Sequence, residues 1–196
     1  MRFWVIGIGL LLLVLAVGVV VPAFDIRFDC RSCWLFQRHR HGYTERNPST
    51  SLKTITSAQA DFRANDRDGD GVNQFWRADI AGLYALAPSG GPAIRLIEGS
   101  VALADARPLF DLTREGKRAP KAGYWYRAIR HTDEQTLDAA LRFAAVAYPA
   151  DYPKSGKYTF IVDENNTIYR CDLGHGRGIE VYPAEDELRA KWAKLD

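Results

Sequence analysis

The chain lacks the short motifs that announce common enzyme chemistries. It has no G-x-S-x-G, no P-loop, no H-E-x-x-H and no G-x-G-x-x-G. Nucleophile elbows, phosphate cradles, zinc-protease helices and dinucleotide turns therefore have no support. Cysteine is scarce. Cys30, Cys33 and Cys171 make three, an odd number that allows at most one disulfide within a chain. Net charge is low at +2, and the excess sits just after the N-terminal apolar run. The nearly neutral remainder has no basic face, which argues against nucleic-acid binding. There is no low-complexity tract and no internal repeat, so one ordinary globular core is expected after that run.

The candidate catalytic pairs are thin. His131 with Asp133, and Cys171 with His175, are the nearest to a base and partner. Each lies in or beside a predicted loop, where polar residues are ordinarily solvated, so the chain reads as non-enzymatic. Gly174 to Gly178 lacks the strand and helix that frame a phosphate loop and reads as a connection. Cys30 and Cys33 form a C-x-x-C followed by His39 and His41, a spacing open to zinc or to redox chemistry. Trp34 follows Cys33, so this is no c-type haem site, and no βαβ unit surrounds it. The plainer reading, a juxtamembrane segment with a local disulfide or free thiols, outweighs zinc. Its arginines and histidines suit anionic lipid headgroups.

What the sequence does have begins at Phe3. The run from Phe3 to Val21 is apolar throughout and carries no charge. At about 1.5 Å per residue, a helix of that length nearly spans a hydrocarbon core of about 30 Å. Three readings follow: a single-pass anchor, a signal peptide cleaved after Ala23, and a buried core helix. The run exceeds the usual h-region of about 7–15 residues, and Arg2 alone makes a thin n-region, which favours the uncleaved anchor. Val21 and Ala23 around Pro22 keep the cleaved reading open. A hydrophobic helix at the terminus of so small a chain is a poor core helix. Arg27, Arg31, Arg38 and Arg40 follow the run, and a bare positive-inside count puts the head in the cytoplasm. Large C-terminal domains translocate largely regardless of charge, so an outward-facing head is expected.

The chain therefore divides into an anchor over 1–23, a basic juxtamembrane segment over 24–46 and a head over 47–196. The head opens on Asn47-Pro48, a capping residue followed by a proline suited to the first helical position. Leu52, Ile55, Ala58 and Phe62 then recur at spacings of three and four, predicting an amphipathic helix over 48–64, with Lys53, Gln59 and Arg63 off that face. Asp79 is placed to cap a short helix holding Ile80, Leu83, Tyr84 and Leu86. Short helical turns follow around Gly99, then a charged, exposed loop from Pro108 to Ala122.

The period then changes. Strands are predicted at 123–130, 143–148, 157–162 and 167–171, the last two joined by Asp163-Glu164-Asn165-Asn166. Short loops between neighbours imply an antiparallel sheet. A C-terminal helix over 184–195 presents Leu188, Trp192 and Leu195 on one face. The expected fold class is α+β: transmembrane helix, amphipathic helix, short helices, four-stranded antiparallel sheet and C-terminal helix.

Between the first helix and the core lies Asp66-Arg67-Asp68-Gly69-Asp70-Gly71-Val72. Carboxylates at positions 1, 3 and 5, a glycine at 6 and the Val72 carbonyl at 7 match the first half of an EF-hand loop. Position 12 is Arg77 where a bidentate glutamate is required, so the full motif fails. Asp79 comes two residues later, within reach of a longer loop. The alternative is a solvated Asp/Gly turn that ends the helix. The candidate calcium ligands are thus Asp66, Asp68, Asp70, Val72 and Asp79.

An apolar anchor, an amphipathic helix and a four-stranded antiparallel sheet resemble the plan of type IV pilins and type II secretion pseudopilins, and the stretch Ser51 to Phe62 looks like the helix segment of such proteins. The stretches Gly123 to Arg127, Phe143 to Tyr152, Thr159 to Val162 and Ile168 to Gly174 are similar to a bacterial family of exported proteins of uncharacterised function. The chain departs from the pilin pattern in lacking a glutamate inside the apolar run and a processed leader. It also has Pro22 and a polar stretch between anchor and helix, which argues against polymerisation into a filament. The resemblance implies a head outside the cytoplasm, held at the inner membrane by one span, with envelope or secretion partners. The reading from another class is a periplasmic hydrolase released by cleavage after Ala23.

Overall fold

The computed structural model describes residues 46–131 and 141–195. The run Phe3 to Val21, the pair Cys30 and Cys33, and Asp133 lie outside the described residues. No helix among the described residues is long and apolar enough to cross a membrane.

The head is α+β. Helix α1 spans Arg46–Ala64, α2 Gly82–Ala85, α3 Gly99–Leu103 and α4 Glu185–Lys191. Strands β1 Tyr124–Ile129, β2 Ala144–Pro149, β3 Thr159–Asp163, β4 Ile168–Cys171 and β5 Ala193–Lys194 form one antiparallel sheet in the order β1-β2-β3-β4-β5. The expected sheet had four strands. The fifth comes from the predicted C-terminal helix, which stops at Lys191. Beyond it the chain pairs with the open edge of β4, and Leu195 N–H donates to Ile168 O at 2.9 Å. The unpaired edge of β4 offers backbone partners to the residues that reach it, and this pairing competes with a further helical turn. Leu188 and Trp192 are buried as the periodicity requires, but Leu195 is exposed.

Both faces of the sheet are covered, which is why β2 is buried along its whole length. On one face Tyr124, Tyr126, Ala145, Ala147, Phe160, Val162 and Ile168 meet Leu52, Ile55, Ala58 and Phe62 of α1. Alanines stand opposite large residues in the register, with Ala147 between Tyr126 and Phe160 and Ala145 beside Val162. Small residues under the helix let it approach, and the flanking aromatics fill the remaining volume. On the other face Val146, Tyr148 and Ile161 are covered by Tyr182, Leu188 and Trp192 from the C-terminal segment. Helix α4 is short, and its charges suit its dipole, with Glu185, Asp186 and Glu187 in the first turn and Arg189 and Lys191 in the last.

Helix α1 is described from Arg46, with Asn47 and Pro48 in its first described turn. A departure is Gln59, expected off the apolar face but 2% exposed. Its side chain clips the backbone of Trp76. Nε2 donates to Trp76 O at 2.5 Å, and Oε1 accepts from Trp76 N–H at 2.9 Å. A primary amide matches a backbone N–H and C=O pair group for group, so a polar residue is the right one to bury here.

Past Trp76 the chain is irregular as far as β1, and two buried carboxylates hold it. Asp79, 2% exposed, accepts Trp76 Nε1–H (2.9 Å) and Gly82 N–H (2.8 Å) on Oδ1, and Leu109 N–H (2.6 Å) on Oδ2. Asp105, 1% exposed, accepts Ile80 N–H (2.8 Å) and Ala81 N–H (2.9 Å) on Oδ2, and Arg107 N–H (2.8 Å) on Oδ1. The segment 104–106 then lies along the outer edge of β1, bonded to both backbone groups of Tyr126.

Replacing Gln59 by leucine strands two backbone groups at once. Gln59→Leu is expected to cost about 2 kcal/mol or more in urea unfolding, while Thr54→Ala on the exposed side of α1 costs about 0.5 kcal/mol or less. Equal losses would mean that the amide clip contributes nothing.

Candidate functional site

Helix α1 ends where the Asp/Gly sequence begins. Asn65 N–H donates to Asp61 O, and the Asn65 side chain bonds the same carbonyl. Arg67 turns back and forks onto Asp61, with Nε to Oδ1 at 2.7 Å and Nη2 to Oδ2 at 3.2 Å. That guanidinium, by hydrogen bond first, holds the Asp61 carboxyl below the usual range. The loop's one basic side chain is thereby turned away from its three acidic ones.

The loop then curls through left-handed backbone at Asp66 (φ 46°), Gly69 (φ 70°) and Gly71 (φ 83°). Nothing lies within 4 Å of a Cβ added at either glycine, so glycine is required there for conformation and not for space. Gly71 N–H donates to Asp66 Oδ2 at 3.0 Å, Val72 N–H to Asp70 Oδ1 at 2.8 Å, and Gln74 Nε2 to Asp70 Oδ2 at 2.7 Å. These bonds fix two of the three carboxylates.

As a result Asp66, Asp68 and Asp70 each bring one oxygen within 4.8 Å of the others. Asp66 Oδ1 and Asp68 Oδ1 are shut off from solvent and accept no hydrogen bond. Burial first, and then the carboxylates of Asp70 and Asp66, push the Asp68 pKa above the ordinary aspartate value. Crowded carboxylates with shielded, donor-free oxygens suit a hard cation better than they suit one another.

The other two expected ligands fare differently. The Val72 carbonyl stays in the loop and accepts Gln74 N–H at 2.9 Å, with a second lone pair left over. Asp79 is not brought to the triplet. Its oxygens serve the indole and two backbone N–H groups already described, where it does the capping expected of it at Gly82.

Beside the loop opens a cavity of about 560 Å³, lined by Asp68, Arg77, Asp105, Arg107, Arg127 and Glu180 among others. Arg127 projects from the middle of β1, 7% exposed, on the face opposite α1. Its Nη1 donates to Glu180 Oε1 at 2.8 Å and its Nη2 to Ile179 O at 2.5 Å, and its Nε has no acceptor. Arg107 forks onto the same Glu180, at 3.1 and 3.0 Å. Burial lifts the Asp105 carboxyl above the usual range against the pull of its three backbone donors.

Of the candidate catalytic residues, His131, Cys171 and His175 are described and Asp133 is not. His131 is buried with Nε2 at 3.3 Å from Phe143 O and 3.6 Å from Glu164 Oε2, its ring tilted against that of Tyr182 with centroids 4.9 Å apart. Cys171 is a half-buried free thiol. Burial raises its pKa, the reverse of what an activated nucleophile needs. His175 accepts Arg177 N–H on Nδ1 at 3.4 Å within its own loop.

Asp105, Arg127 and Glu180 escaped the reading of the sequence because nothing local links them. The one available signal was Arg127 itself, a charge in the aromatic strand Tyr124 to Ile129. No curated protein matches the chain, and no solved structure does. The pilin resemblance therefore gains no support from comparison, whereas the resemblance to an uncharacterised family does. Residues 111–182, from the loop before β1 through β4 to Tyr182, match the family described as "Protein of unknown function (DUF2950)"; Arg127 and Glu180 lie inside that stretch and the Asp66 to Asp70 loop lies before it.

Proposed function

We propose that residues 46–195 are the non-enzymatic head of a membrane-anchored cell-envelope protein, and that Asp66, Asp68 and Asp70 hold a structural Ca²⁺. The observation that carries the cation is the pair of shielded, donor-free oxygens on Asp66 and Asp68 within a three-carboxylate cluster. Oxygens bound at about 2.3–2.6 Å to one ion lie within about 5 Å of each other, and the triplet already meets that limit. Val72 O is the natural fourth protein ligand. With Arg77 where the bidentate glutamate belongs, weak affinity follows, with Kd in the roughly 10⁻⁴–10⁻³ M range of extracellular modules. The ion would tie the end of α1 to the segment that Gln59 and Asp79 hold.

Calcium bound to the folded head alone stabilises it by about 1.4 kcal/mol at a tenfold excess over Kd. Purified full-length protein is expected to melt a few degrees higher in millimolar Ca²⁺ than in chelator, and Asp68→Ala abolishes the difference. The proton competes with the ion at Asp68, whose raised pKa makes the shift shrink as pH falls toward that of the free carboxyl. Equal melting of wild type in both buffers overturns the calcium reading.

The address rests on the apolar run Phe3 to Val21 and on the resemblance to exported proteins. With the head outside the inner membrane, protease added to spheroplasts removes it. A head that survives until lysis is cytoplasmic.

A further inference from the structure

The strand register gives the head two ends. Tyr124 of β1 pairs with Pro149 of β2, Ala147 of β2 with Phe160 of β3, and Thr159 of β3 with Cys171 of β4. Tyr124, Pro149, Thr159 and Cys171 therefore stand at one end of the sheet, and the loops 150–158 and 172–178 leave from it. Helix α1 runs toward the other end. Thr56, Ala60, Arg63 and Ala64 share a cavity of about 430 Å³ with Phe143, just before β2, and with Glu164, just after β3. Ser51, nearer the start of α1, is set against Tyr126 of β1. The chain thus enters the head, at Arg46, at the end that carries the two loops.

Those loops form one face, and its chemistry is basic and aromatic. Tyr152 Oη donates to Asp172 Oδ1 at 3.1 Å and joins the two loops. The Tyr158 ring has two cations over it, with the Arg170 guanidinium at 4.7 Å from its centre and Lys157 Nζ at 5.9 Å. Both acids of these loops are already engaged, Asp151 by Lys154 at 3.3 Å and Asp172 by Lys157 at 3.2 Å. Arg170 and the exposed Arg177 have no carboxylate partner among the described residues. The opposite end has the other sign. It carries Asp66, Asp68 and Asp70 beyond α1 and Asp163 and Glu164 beyond β3, while Arg67 and Arg142 there are paired with Asp61 and Glu164.

We propose that the face formed by 150–158 and 172–178 rests on the anionic phospholipid headgroups of the bilayer that holds the apolar run, an inference that rests on the anchored reading. Residues 22–45 tie that run to Arg46, at this same end of the head. A tether keeps the head at the surface, so contacts too weak to recruit a free protein suffice to orient it. Lys154, Lys157, Arg170 and Arg177 meet lipid phosphates, and Tyr152 and Tyr158 lie at headgroup level, where amphipathic rings are favoured. The same surface repels the acidic end, which turns outward and leaves the loop of Asp66, Asp68 and Asp70 open to solvent.

The test is hydroxyl-radical footprinting of the full-length protein in nanodiscs of phosphatidylcholine alone and of phosphatidylcholine with phosphatidylglycerol. Oxidation of Tyr152 and Tyr158 is expected to fall about threefold in the anionic discs and to recover in about 0.5 M salt, which screens the attraction. Tyr84 and Trp76, away from the face, should be oxidised equally in both. Lys154→Gln/Arg177→Gln, at two exposed positions, should keep the wild-type melting temperature and lose most of the protection. Equal oxidation of Tyr152 and Tyr158 in the two lipids overturns the proposal, and so does equal protection of Tyr84 and Trp76, which describes a head lying on the bilayer in no fixed orientation. Protein that leaves the discs as a product starting at Phe24 overturns the anchored reading itself, and this proposal with it.

Discussion

Two buried carboxylates govern how this head is built. Asp79 and Asp105 each take three N–H donors, and almost all of those donors are backbone groups of irregular chain. Between Trp76 and Leu109 only short helices satisfy the backbone internally, so a buried segment of this kind would otherwise carry unpaired N–H groups. An ionised acceptor makes stronger bonds than a neutral one, and each oxygen can take two. Burial opposes this charge and pushes the Asp105 carboxyl up, and its three backbone donors work against that rise. The result is a rigid irregular layer laid along the edge of β1.

From that layer the two notable features of the surface follow. The Gln59 clip and Asp79 position Trp76 and its neighbours, and so fix one end of the chain that leaves the acidic loop. Asp105 sets 104–106 on the strand edge, and the C-terminal segment covers the same edge further along. The gap between those two covers is the cavity. Because both sheet faces are buried, by α1 on one side and by the C-terminal segment on the other, the edge of β1 is where backbone and charged groups remain open together.

Much of this was legible in the sequence wherever one local rule decided the outcome. The period of Leu52, Ile55, Ala58 and Phe62 marked α1, and aromatic and apolar runs bounded by turns marked the first four strands within a residue or two at their cores. Asn166 at positive φ closes the hairpin where two asparagines stand in sequence. The acidic loop was visible because its residues are neighbours and its glycines fall where left-handed backbone is needed. Gln59 was misplaced because a helical wheel knows residue polarity and not the backbone waiting opposite. The C-terminal helix ran too long because the free edge of β4 lies over twenty residues away and competes only in three dimensions. Asp105, Arg127 and Glu180 come together through strand pairing alone, and a single chain read in order carries no sign of that pairing. The anchor and the C-x-x-C pair lie outside the described residues.

The central claim is that the carboxylate-held layer is prebuilt, as firm as the sheet and independent of any ion. Amide hydrogen exchange on the protein in chelator measures this directly. The account predicts that the N–H groups of Ile80, Ala81, Gly82 and Leu109 exchange as slowly as those of β2. Exchange at the rate of the exposed chain around Lys117 would contradict it, and the layer would then be a mobile covering and not the frame on which the acidic loop and the cavity are set.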